Sequence, residues 1–214
     1  MIKKQDFDRL LQQAKIPRAM MFFGESDFMI DYHAKKLCDA WVSEVDVFEL
    51  YHHEYNLNDA KAHISQCSLF EGNNVLLIKN DKQVPTKELD KLISYVNKSP
   101  SNFLIYCYYG PDYKTSNKSF TPKSGGDSIR FYNPYFSEAK NIIRKEAKSL
   151  NLQINDDAIT HLILSQNSNL SLACNELEKL CILQAPIHAK EINEHVFPLA
   201  EVKLDEMILA ILEK

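Results

Sequence analysis

Arg18-Ala19-Met20-Met21-Phe22-Phe23-Gly24-Glu25-Ser26-Asp27-Phe28 decides the fold class of this chain. A short apolar run that ends at a glycine and passes through a small polar turn reads as a buried strand feeding a helix. Asp27 is placed to cap that helix, and Ile30, Ala34, Leu37, Cys38 and Trp41 recur at helical spacing through residues 28–41. The same alternation continues along the chain. Residues 45–51 alternate and are rich in β-branched and aromatic side chains, a second strand. Residues 58–67 place Ala60, Ile64 and Cys67 on one helical side. Residues 74–79 are apolar in a block, which suits a strand covered on both faces. A helix over 86–97 is stopped by Ser99-Pro100, a fourth strand over 102–109 is closed by Gly110-Pro111, and residues 128–132 supply a fifth. Alternating strands and helices with right-handed crossovers imply an α/β domain with a largely parallel sheet and helices on both faces. Ligands of such sheets bind at the carboxyl ends of the strands.

Residues 111–127 are rich in Ser, Thr, Lys and Gly and are expected to form a mobile loop. From Asn133-Pro134 the pattern changes. Three helical segments, 135–150, 156–165 and 170–183, and a short fourth at 190–196 follow with no strand between them, a small all-helical bundle. Residues 204–214 begin another amphipathic helix and the chain stops without a cap, which reads as a truncation. The expected organisation is therefore 1–133 α/β, 134–203 helical bundle and 204–214 the start of a further helical domain.

The 214 residues are 45% hydrophobic and 25% charged, a soluble globular composition. No apolar run approaches the roughly 18 residues of a membrane span, and Met1 to Phe7 lacks the apolar core of a signal peptide. A formal net charge of −4 argues against a surface that tracks nucleic acid everywhere, though not against a local basic patch. Five cysteines with no CxxC pair read as buried thiols in a reducing, cytoplasmic setting.

The catalytic signatures are missing where they would be expected. A phosphate cradle after the first strand needs several glycines, then Lys and Ser/Thr. Here Gly24 stands with no Lys and with Glu25 and Asp27, whose carboxylates repel phosphate. Asp81, at the end of the third strand, is a weak imitation of a metal-holding acid. There is no GxSxG and no HExxH, so no cofactor, metal or catalytic residue is expected. His52 and His53, read as strand neighbours, point to opposite faces and cannot share a metal. Lys114, Lys118 and Lys123, with Tyr113 and Phe120, could brush a phosphate backbone or belong to a solvated loop. That leaves three kinds of function: a protein-gripping subunit, a degenerate nucleotide-binding protein, or a DNA-binding adaptor.

Gln66-Cys67-Ser68-Leu69-Phe70 is the strongest candidate for the first. Leu69 and Phe70 can fill an apolar pocket, Gln66 can hydrogen-bond its rim, and Ser68 is a small spacer. Such residues are usually core. The polar turn Glu71-Gly72-Asn73-Asn74 puts them at a helix-to-strand corner, where an exposed apolar pair marks a binding site.

An α/β domain with an emptied phosphate turn, followed by a helical bundle, resembles the AAA+/RecA-like architecture without its ATP site. Asn169-Leu170-Ser171-Leu172-Ala173-Cys174-Asn175-Glu176-Leu177-Glu178-Lys179-Leu180 resembles the corresponding helix of bacterial DNA polymerase III delta subunits. Residues 21–30 resemble that family's opening Gly-Glu turn, and Ser68-Leu69-Phe70 its clamp-binding corner. One departure is Ser165-Gln166-Asn167-Ser168, where the family usually has glycines. The resemblance implies a non-enzymatic clamp-loader subunit, with residues 204–214 beginning its collar domain. Gln66, Ser68, Leu69 and Phe70 would bind the sliding clamp (beta) and open its ring. Its implied partners are the tau/gamma ATPase subunits, delta-prime and primed DNA.

Overall fold

A computed structural model of the chain describes residues 1–41, 46–65 and 73–199, without the Asp46 side chain. Five strands, β1 (Ala19–Gly24), β2 (Asp46–Tyr51), β3 (Asn74–Asn80), β4 (Asn102–Tyr108) and β5 (Gly126–Phe131), form one sheet in the order β2-β3-β4-β1-β5. Every pairing is parallel. The central position of β1 explains its sequence. Flanked by β4 and β5 and covered on both faces, Ala19 to Phe23 are fully buried, which is why the run is apolar without alternation.

Helices α1 (Lys4–Gln12) and α2 (Asp27–Trp41) cover one face. Phe7 from α1 and His33 from α2 meet the β1 residue Phe22 and the β5 residue Phe131 in a ring cluster. Centroids are 5.9 Å apart for Phe7–Phe22, 5.4 Å for Phe22–Phe131 and 4.4 Å for His33–Phe131. The other face carries α3 (Leu57–Ser65), α4 (Thr86–Lys98) and the short α5 (Lys114–Asn117). Here Met21, Phe23, Leu76, Ile78, Leu104 and Tyr106 pack against Ile64, Leu89, Leu92, Ile93 and Val96.

The chain divides after Asn133, and the second compact unit begins at Pro134. It holds α6 (Phe136–Ser149), α7 (Asp156–Ser165), α8 (Leu170–Leu180) and α9 (Ala189–His195). Asn155 and Asn169 cap α7 and α8, each accepting from the third residue on, at 2.8 Å from Ala158 N and 3.2 Å from Leu172 N. Among the described residues an isolated parallel bridge joins Ile154 and Ile187.

Several expectations need correction. Residues 111–127 hold α5 and a 3₁₀ turn at Pro122–Ser124, and Phe120 is buried against Tyr106. Thr121 and Ser124 form a reciprocal cap with Pro122 at the first position and Gly125 left-handed at φ 82°. These are helix start and stop signals hidden in a polar composition. Ser26, not Asp27, caps α2: its Oγ accepts from Met29 N at 3.4 Å. The helix that begins at Leu170 ends at Leu180, and Cys181–Leu183 continues as a 3₁₀ turn. His52 and His53 lie in a 3₁₀ turn after β2, so strand geometry does not orient them. Cys38 and Cys107 are buried, whereas Cys174 and Cys181 are only half-buried. Cys67 lies outside the described residues. Helix α1 had no counterpart in the strand-and-helix reading.

Candidate functional site

The carboxyl ends of the strands are the first place to look for a ligand. Gly24 has φ +149° and lies so close to β5 that an added Cβ would stand 1.8 Å from Phe131 O. The next amide, Glu25 N, donates to that same carbonyl at 2.8 Å. A phosphate cradle needs free N–H groups pointing into an open loop. This turn is instead stitched to the neighbouring strand, and the Glu25 carboxylate is held by Arg130 at 3.1 Å.

The adjoining surface is acidic. Asp27 and Asp31 sit one turn apart on α2. The Asp27 pKa is raised, by partial burial first and by Asp31 second. Asp31 accepts from the Tyr109 hydroxyl at 2.7 Å and pairs with Lys79 Nζ at 3.3 Å. Lys79 also reaches Glu49 at 3.8 Å and lies over the Tyr51 ring, while the Tyr51 hydroxyl donates to Glu49. Burial opposes the Lys79 charge, but Asp31 and Glu49 outweigh it and raise its pKa. The ammonium at the end of β3 is thus bound into the protein's own carboxylates. Asp81 is exposed and accepts from His52 Nδ1 at 2.8 Å, and its pKa is lowered, chiefly by that bond. Among the described residues no group of three or more His, Cys, Asp or Glu is placed to hold a metal, and no helix is long and apolar enough to cross a membrane.

Gln66, Ser68, Leu69 and Phe70 lie outside the described residues, but both flanks of their stretch are described. On the upstream side, Ile64 O near the end of α3 accepts from Asn102 Nδ2 at 2.9 Å. On the downstream side, Asn73 Nδ2 donates to Trp41 O at 2.6 Å and Asn74 N donates to Ser101 O at 2.8 Å. Asn74 Nδ2 donates to Asn102 Oδ1 at 3.2 Å, so Asn102 ties the end of α3 to the start of β3. Trp41 packs on Phe103 with centroids 4.6 Å apart. Sequence reasoning read Asn73 and Asn74 only as part of a polar turn or a strand start, and gave Asn102 no role beyond opening a strand. The available signal was an Asn opening each of two buried strands, a residue type that strands disfavour unless it has bonds to make.

Lys114, Lys118 and Lys123 are all exposed, on or beside α5 and the 3₁₀ turn that follows it. The structure does not bring them near Gly24 or Asp31 through any hydrogen bond or ion pair.

A family model described as "HP_1247_M: middle domain" matches residues 135–194. Two Helicobacter pylori proteins, from strains J99 and 26695, are 24% and 25% identical, each over 99% of this chain and 67% of the relative. Among solved structures, the Bacillus subtilis DNA clamp loader delta protein (YqeN) aligns over 98% of this chain and 67% of its own, with TM-score 0.61 and 19% identity. The Thermotoga maritima RuvB Holliday junction branch migration motor aligns over 98% of this chain and 73% of its own, with TM-score 0.55 and 13% identity. The chain has an AAA+-like fold. The turn after β1 is shut against β5.

The second unit carries a related detail. Asn167 and Ser168, where the delta resemblance leads one to expect glycine, have φ 49° and 61°. The left-handed backbone is present without the glycines. Its strain is offset by bonds from Ser168 N to Ile163 O at 2.9 Å and from Asn167 Nδ2 to Leu199 O at 3.2 Å.

Proposed function

We propose that this chain is a non-enzymatic clamp-loader subunit that binds a sliding clamp (beta) and opens its ring for loading onto primed DNA, alongside tau/gamma ATPase subunits and delta-prime. The observation that carries the reading is the shut turn. An AAA+-like scaffold whose Glu25 amide is spent on Phe131 O, and whose nearby Lys79 is spent on Asp31 and Glu49, lacks the parts that phosphoryl transfer requires. A scaffold of that kind is left with binding and mechanical work.

Gln66, Ser68, Leu69 and Phe70 are the clamp-binding residues in this reading. The pinned flanks support it, because a docking segment gains affinity when its ends are held and less ordering is needed on binding. Burying one Leu and one Phe in a partner is worth about 3–6 kcal/mol. Shifting a ring from about 1% to 99% open needs about 5.5 kcal/mol of differential affinity. The two are comparable, so a plug that fits the sprung ring better than the closed one can open it by binding alone. Calorimetry tests the reading directly: titration with ATP and Mg²⁺ gives no binding heat and titration with the cognate clamp does. Saturable heat with ATP would support a degenerate nucleotide-binding protein instead.

A further inference from the structure

We propose that the exposed apolar patch at the C-terminal end of α7, made by Leu164, Phe197 and Leu199, is the docking site for residues 204–214 of this same chain, which pack on it as an amphipathic helix. On α7, Asp157, His161 and Leu164 fall on one side at 3.6 residues per turn. That side meets α9, where Asn193 Oδ1 stands 2.6 Å from His161 Nε2. Helix α9 ends at His195, and the chain runs on extended from Val196 across the end of α7. Three bonds hold it there. The buried Gln166 donates from Nε2 to Phe197 O at 3.0 Å, Leu199 N donates to Ser165 O at 2.8 Å, and Asn167 Nδ2 donates to Leu199 O at 3.2 Å. Pro198 keeps the residue before it extended, and side chains along an extended segment alternate. Val196 accordingly turns inward and is 4% exposed, whereas Phe197 is 89% exposed. Leu164 and Leu199 are 57% and 45% exposed. Large apolar side chains gathered in this way mark a binding surface.

The chain itself supplies the occupant. The residues beyond Leu199 lie outside the described part, and their sequence carries the complement of the patch. Leu204, Met207, Ile208, Ile211 and Leu212 recur at i, i+3, i+4, i+7 and i+8, an apolar stripe with Glu206 and Glu213 on the opposite side. A segment this short needs cover, since isolated helices under about 12–15 residues are marginal in water. The chain from Leu199 to Leu204 spans at most about 17 Å, so the stripe begins beside the patch. From Leu204 to Leu212 a helix is about 12 Å long, enough to lay two turns over the three side chains. A short tether also holds the stripe at an effective concentration on the order of millimolar. The chain's own segment therefore fills the patch ahead of a second copy or a separate partner. Once docked, the segment and the bundle move as one body.

The test is amide hydrogen exchange of the full chain, with no clamp present, so it is independent of the clamp-docking reading. In the wild type the amides of 206–214 should exchange at least about tenfold more slowly than in a free peptide of the same sequence. Leu164→Ser, Phe197→Ser and Leu199→Ser combined should remove that protection while α6 to α9 keep theirs, and Phe197→Leu alone should retain it. Met207→Glu with Ile211→Glu tests the other side of the contact and leaves every bundle residue in place. It should free 206–214 and at the same time speed exchange across 164–168 and 197–199. Ile182→Ser, at an apolar residue 80% exposed in the turn after α8, should change neither. Wild-type exchange as fast as in the free peptide would overturn the proposal. So would protection that survives the triple Ser variant, an equal loss in Ile182→Ser, or a Met207→Glu, Ile211→Glu variant with no change at 164–168 and 197–199. Protection that rises only as sedimentation shows a dimer forming would overturn it too, since a second copy would then be the occupant.

Discussion

Gly24 shuts the turn after β1 because it has no side chain. Any Cβ there would meet Phe131 O at 1.8 Å, on a backbone with φ +149°. Gly24→Ala is expected to lower the unfolding free energy by about 2–4 kcal/mol, read from urea denaturation. A loss below about 1 kcal/mol would mean that the turn opens easily. His33 makes a different point about single residues. Its ring is buried between Phe131 and Phe7, and Nδ1–H donates to Met29 O at 2.8 Å. Burial, more than any neighbour, lowers its pKa to about 4. The unfolded imidazole takes its proton near the ordinary value of about 6.5, so between these values the unfolded chain binds more protons than the folded one. Stability is therefore lost as pH falls from about 6.5 toward 4, by up to about 1.4 kcal/mol per pH unit. His33→Phe keeps a ring in the cluster and should flatten that part of the stability-versus-pH curve. An unchanged curve would show that His33 is not held neutral.

At the scale of elements, Asn102 is the joint. Its side chain joins α3 to β3 and also reaches Tyr95 O of α4 at 3.4 Å, while the Arg18 guanidinium donates to Val96 O and Ser99 O at the same helix end. Asn102→Ala leaves the buried Ile64 carbonyl without its partner and should cost about 1–3 kcal/mol. It should also speed amide exchange at the end of α3 more than in α2. Uniform exchange would assign Asn102 to the general core. The elements differ in how plainly the sequence announces them. Strands β1, β3 and β4 were legible because burial on both faces demands apolar blocks, and α7 because its apolar period is regular and Asn155 caps it. Helix α1 was not, since Phe7 is its one buried residue and most of its turns are solvated. The turns in 111–127 were masked by composition: Thr121-Pro122-Lys123-Ser124-Gly125 reads as a loop by residue type and as a capped 3₁₀ turn by position.

At the scale of the whole chain, two properties organise the account. The carboxyl ends of the strands are acidic and shut, and large apolar side chains stand exposed at the end of α7. The emptied phosphate turn was visible in the sequence, because one glycine and two carboxylates cannot make a cradle. The stitching of Glu25 to Phe131 was not, since it depends on β5 lying beside β1 more than a hundred residues later. The apolar patch was only partly visible: the stripe over 204–214 can be read from its period, while Leu164, Phe197 and Leu199 come together only once residues 197–199 bond across the end of α7. The proposed clamp-docking residues were nominated by their chemistry together with the delta resemblance, and they lie outside the described residues. The central claim is that Leu69 and Phe70 serve a partner and not the core. The most direct measurement sets the affinity for the cognate sliding clamp beside the thermal midpoint, for the wild type and for Leu69→Ala with Phe70→Ala. The account predicts an affinity loss of at least about 100-fold, in line with about 3–6 kcal/mol of apolar burial, with a midpoint within about 2 °C of the wild type. Retained clamp affinity, or a midpoint lowered by many degrees, would contradict it.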